Sequence, residues 1–89
     1  MTREELITWA TANGWKRDRF GHLEKEEHEG LRRYRLKPGK LAVRYEVHSH
    51  AGWVRVRSAY YKNLSITADG KLAGMKFWTK GETENDFHH

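Results

Sequence analysis

From residue 34 to residue 57 apolar and polar side chains alternate along much of the chain. The segments LRRYRLK, LAVRYEVHS and WVRVRSAYY carry a period of two, and HLEKEEH reads as the strand before them. That period belongs to strands with one buried face and one open face. The punctuation between them is Glu29-Gly30, Pro38-Gly39 and the stretch His50-Ala51-Gly52. Proline presets the first angle of a tight turn and glycine supplies the second, so Pro38-Gly39 reads as the clearest turn. Short connections between successive strands predict an antiparallel meander.

The turn positions predict the registers. A two-residue turn at 38–39 pairs Leu36 with Leu41, Tyr34 with Val43, and Arg33 with Arg44. A turn centred on 50–51 pairs Val47 with Val54, Glu46 with Arg55, His48 with Trp53 and Arg44 with Arg57. A connection around 29–30, of two or four residues, pairs Leu23 with Leu36, Glu24 with Arg35 and Glu26 with Arg33. All three hairpins then agree on the two faces. Leu23, Tyr34, Leu36, Leu41, Val43, Tyr45, Val47, Val54, Val56 and Tyr60 form the apolar one. Glu24, Glu26, Arg33, Arg35, Ala42, Arg44, Glu46, His48, Trp53, Arg55, Arg57, Ala59 and Tyr61 share the other. A slip of one residue would invert a whole strand, which makes this agreement informative.

The first dozen residues follow a different period. Leu6, Trp9, Ala10 and Asn13 recur at helical spacing, and Thr2 with Glu5 has the spacing of a capping box. Gly14 is a natural stop. So short a helix is marginal alone and must dock on the apolar side of the sheet. Beyond Tyr61 the segment LSITADGKLAGM reads as a small hairpin turning at Asp69-Gly70, with Leu64, Ile66, Leu72 and Met75 closing the core. The prediction is an α+β fold: an N-terminal helix packed on a four-stranded antiparallel meander with a short C-terminal hairpin. Residues 1–78 form a single domain and 79–89 a flexible, acidic tail.

Length and charge narrow the function. Eighty-nine residues suit one small domain. The chain has no cysteine, hence no disulfide and no thiolate metal site. No apolar run approaches the ~20 residues of a membrane span, and MTREELITWA lacks the apolar centre of a signal peptide. A soluble, cytoplasmic protein without membrane partners is expected. Lys and Arg number 17 against 12 Asp and Glu, a net charge of +5. Residues 31–62 concentrate the excess: nine cations stand there against Glu46 alone. A basic centre between acidic flanks points to an anionic partner, nucleic acid or an acidic protein.

The candidate binding residues are Arg33, Arg35, Arg44, Arg55 and Arg57, with Trp53 among them. Each guanidinium offers a planar fork of donors to a phosphate. An exposed aromatic ring among arginines can stack on bases. Arg35 is the weaker candidate, since Glu24 stands opposite it in the expected register. The expected function is a small non-enzymatic module that contacts nucleic acid through this face and needs no cofactor. A protein-interaction module using the same face or a sheet edge is the alternative. His48 and His50 have a spacing metal sites can use, but no third ligand stands near them in the sequence.

The segment NGWKRDRFGH, residues 13–22, resembles the early part of HicA-type RNA-cleaving toxins. That family has a helix, an Asn-Gly-Trp-like turn, an arginine, and a histidine that acts in cleavage. The resemblance covers about ten residues. It implies His22 as a candidate catalytic residue of a nuclease, the third reading of function. The serine that precedes the histidine in that family is absent here.

Overall fold

The computed structural model describes residues 1–77. Helix α1 spans Arg3–Ala12. The capping box forms: the Glu5 amide donates to Thr2 Oγ1 at 3.1 Å, and the Thr2 amide donates to Glu5 Oε1 at 2.8 Å. Two of the helix's otherwise unmet N–H groups are thus satisfied. At the far end the amides of Asn13 and Trp15 both close on the Ala10 carbonyl at 3.0 Å. Gly14 supplies the left-handed turn (φ +88°) that reverses the chain there.

Strands β1 (Lys16–Arg17), β2 (Leu23–Glu27), β3 (Arg32–Pro38), β4 (Ala42–Ser49), β5 (Gly52–Tyr60) and β8 (Lys76–Phe77) form one antiparallel sheet in the order β1-β2-β3-β4-β5-β8. A 3-10 turn at Tyr61–Asn63 leads into the small hairpin of β6 (Ser65–Ile66) and β7 (Leu72–Ala73). The four central strands and the C-terminal hairpin are those the alternation predicts. The two-residue edge strands β1 and β8 are additions, too short to leave a periodic signal. The expected tail 79–89, and Trp78 before it, lie outside the described residues.

Three hairpins test the predicted registers. In β2–β3 the pairs Leu23–Leu36, Glu24–Arg35 and Glu26–Arg33 all form, across a four-residue connection. His28 and Glu29 take positive φ there (55° and 58°) ahead of Gly30.

In β3–β4 the register is displaced by four residues. Leu36 faces Tyr45, Arg35 faces Glu46, Lys37 faces Arg44, and Pro38 itself pairs with Val43. Pro38-Gly39 does not form a two-residue turn. The chain loops through Gly39–Leu41, and Leu41 is 61% exposed rather than core. Tyr61 holds this loop at two points: its hydroxyl donates to the Gly39 carbonyl at 2.6 Å, and its amide to the Leu41 carbonyl at 3.1 Å. A displacement by an even number leaves the faces unchanged. It sets Arg35 against Glu46, exchanges the like-charged Arg33–Arg44 pair for Lys37–Arg44, and lets Tyr34 and Tyr45 stack at 5.9 Å between ring centroids.

In β4–β5 the pairs Val47–Val54, Glu46–Arg55 and His48–Trp53 form as expected. Then Tyr45 meets Arg57, not Val56, and Arg44 meets Ser58, not Arg57. Val56 is the extra residue of a β-bulge. From Arg57 onward every side chain of β5 points opposite to the prediction. Ala59 now faces Val43 in the core, and Tyr61 follows it inward, while Tyr60 faces Ala42 on the other side. Without the bulge, Ser58 and Tyr60 would lie beneath the helix.

The core is accordingly Leu6 and Ala10 of the helix against Leu23, Leu36, Val43, Ala59, Tyr61 and Leu64, with Leu72 and Met75 partly buried beside them. Ile66 and Val54, expected inside, are about two-fifths exposed. A ten-residue helix is about 15 Å long. Six strands at about 4.8 Å spacing span about 24 Å. One such helix leaves part of its side of the sheet uncovered.

Candidate nucleic-acid interface

The side of the sheet away from the helix carries four of the five predicted arginines, Arg33, Arg35, Arg44 and Arg55, arranged in cross-strand rows. The first row runs Lys16, Glu24, Arg35, Glu46, Arg55 across five strands. Its charges alternate in sign at every step. Such opposite pairs are favourable neighbours on a sheet. Glu46 is buried to 8% exposure, and Arg35 Nη1 lies 3.5 Å from its Oε1.

Arg33 belongs to the next row. Its Nη2 lies 3.5 Å from Glu24 Oε1 and its Nε 3.7 Å from Glu26 Oε1. The carboxylate of Glu24, expected to compete for Arg35, is therefore bound by Arg33. Trp53 underlies both guanidinium groups. Arg35 sits 3.9 Å from its ring centroid and Arg33 5.4 Å. His48 meets the ring edge-on at 5.2 Å. Trp53 thus acts as a flat support that orients two arginines. The buried Nε of Arg35 makes no hydrogen bond.

A third row reads Lys37, Arg44, Ser58, Lys76 across β3, β4, β5 and β8. It contains three cations, one hydroxyl and no acid. Lys37 and Arg44 stand directly opposite each other, and like charges so placed concentrate positive potential on this part of the sheet. The sequence does not reveal this row, because it depends on the displaced β3–β4 register and on the bulge.

His22 adjoins it. The Asp18 side chain closes an Asx turn, its Oδ1 accepting from the Phe20 and His22 amides at 2.8 and 2.9 Å. Its Oδ2 lies 3.7 Å from His22 Nδ1. Desolvation pushes the Asp18 pKa up, but those two amides and the charges of His22 and Arg35 outweigh it, and the net shift is downward. Burial lowers the pKa of His22; Asp18 opposes, and Lys37 and Arg35 add to the lowering. The imidazole is therefore neutral at pH 7.

Arg57 is the correction among the predicted residues. The bulge turns it to the helix side, where its guanidinium lies 4.6 Å from the centroid of Phe77. It lines a groove with Trp9, Trp15, Tyr34, Tyr45 and Lys71. His48 and His50 do not meet a third ligand: among the described residues no group of three or more His, Cys, Asp or Glu gathers to hold a metal ion. No described helix is long and apolar enough to cross a membrane. No protein-family model, curated protein or solved structure matches this chain.

Proposed function

We propose that the protein is a small, non-enzymatic nucleic-acid-binding module that uses the side of its sheet opposite the helix. The observation that carries this reading is the acid-free row Lys37–Arg44–Ser58–Lys76. Three cations across four strands, with a hydroxyl between them, match a run of phosphates. Arg33 and Arg35, steadied on Trp53, border the row on one side and extend the positive surface. Arg55 lies beyond Glu46 as the end of the alternating row. Both acids bound by Arg33 and the one bound by Arg35 reduce what those two residues can offer, and the row sets Lys37, Arg44 and Lys76 in line to meet consecutive phosphates.

The test is fluorescence anisotropy of a labelled single-stranded oligonucleotide at several salt concentrations. Affinity falls as salt rises, with a log–log slope of roughly 0.7 for each phosphate contacted on a single strand. The triple substitution Lys37→Gln, Arg44→Gln, Lys76→Gln should shrink that slope by about 2. Binding that is absent at low salt, or insensitive to salt, excludes the proposal. Capture of an acidic protein by the same side, surviving nuclease treatment and lost in the triple variant, would point to the protein-interaction alternative.

A further inference from the structure

The helix side of the sheet carries a second feature with its own chemistry. Beside α1 lies a groove of about 610 Å³, bounded by Trp9 and Trp15, by Tyr34 and Tyr45 on the sheet, and by Phe77 on β8. Its volume lies within the roughly 300–1,000 Å³ of small-molecule sites. The groove exists for two reasons already given: α1 is too short to cover the sheet, and the bulge at Val56 turns Arg57 inward.

Its walls are held in place. Trp9 Nε1 donates to the Gly70 carbonyl at 2.7 Å, fixing the β6–β7 turn against the helix. That turn delivers Lys71 to the rim. Tyr34 and Tyr45 are stacked on each other at an interplanar angle of 18°. Arg57 is stacked on Phe77. Charge on the lining is unequal: Lys25, Arg57 and Lys71 stand against Glu27, and Asp69, just outside the lining, lies 3.8 Å from Lys71 Nζ, which leaves a net positive rim. Aromatic faces select a planar ring, and the surplus cations select a group of more than one negative charge.

We propose that this groove binds a free nucleoside monophosphate, its base on the aromatic wall and its phosphate between Arg57 and Lys71. A phosphate monoester carries about −1.5 to −2 charge at pH 7, which answers the local excess. The guanidinium of Arg57 offers it a fork of donors, and Lys71 offers a mobile point charge. This site lies on the opposite side of the sheet from the acid-free cation row and shares no residue with it.

The experiment is a titration of the full chain with adenosine monophosphate at low salt, followed by amide and indole chemical shifts. The Trp15 indole and the amides around Arg57 and Lys71 should move, while the Trp53 indole on the other side stays still. Arg57→Gln should weaken binding about tenfold with the spectrum otherwise retained, and Lys71→Gln should act in the same direction. Ribose 5-phosphate and adenosine should each bind more weakly than the nucleotide, since each lacks half of the contacts. Absent or delocalised shifts would overturn the proposal, as would ribose 5-phosphate binding as well as the nucleotide. Shifts in the groove caused only by an oligonucleotide would overturn it too, assigning the groove to polymer binding. Loss of oligonucleotide binding to the cation row leaves these outcomes intact, so the two sites fail separately.

Discussion

Single side chains decide much of this fold, and Tyr61 decides more than most. It fills the core with its ring while its hydroxyl binds the Gly39 carbonyl. Burial pushes the phenol pKa up to about 12. A raised pKa means that the stabilisation is complete below about pH 10 and is lost as pH rises from there toward 12. Tyr61→Phe should cost about 1 kcal/mol by urea denaturation at neutral pH, and the loss should vanish at the alkaline end. Asp18 works in the other direction. Its pKa is depressed below the ordinary 3.8, so its contribution is present above about pH 4 and disappears as pH falls through the lower folded value. Asp18→Asn should flatten the stability–pH curve on the acid side, and an unchanged acid limb would show that the charge of the Asp18 carboxylate adds no stability. Both roles were opaque in the sequence. Tyr61 reads as a solvent-facing residue until the bulge is known, and Asp18 is one charge among many until its side chain is seen to cap the turn before β2.

At the scale of elements, what was legible is what depends on parity and caps. The helix, its capping box and its glycine stop follow from local spacing, and the β2–β3 register follows from matched charges and leucines. The β3–β4 offset was not legible, because Pro38-Gly39 is a strong local turn signal. Long-range terms override it: Glu46 between Arg35 and Arg55, and two hydrogen bonds from Tyr61. The bulge was not legible either, since an alternating sequence contains no mark of the residue that will be skipped. It makes a sharp prediction. Val56 is surplus to the pairing of β5, so its deletion should leave Arg55 facing Glu46 and Arg57 facing Tyr45, and the chain should still fold with the same residues buried. In an unbulged strand the same deletion would turn four side chains inside out. Amide exchange and cross-strand nuclear Overhauser contacts distinguish the outcomes. Gly74 is the opposite case, a residue with no room for change. Its φ is +106°, and an added Cβ would fall against the Asn63 backbone. Gly74→Ala should cost more than about 1 kcal/mol, measured as a lower thermal midpoint.

The whole molecule has two sides of different chemistry on one sheet. The helix side offers rings in a concave groove. The other offers charges in rows on a broad face. Of the residues singled out from the sequence, Arg33, Arg35, Arg44, Trp53 and Arg55 do share that face, because an even register offset preserves it. Arg57 does not, because one extra residue reverses it. The acid-free row and the groove emerge only when strands distant in sequence are set side by side. Both sides meet at β8, where Phe77 pairs with Arg57 and Lys76 with Ser58. Among the described residues this two-residue strand is held to the sheet by those pairings and by the Arg57–Phe77 stacking. Whatever grips Phe77 from one side therefore also steadies Lys76 on the other. Occupancy of either surface should tighten the other by the same factor, a thermodynamic hinge only two residues long.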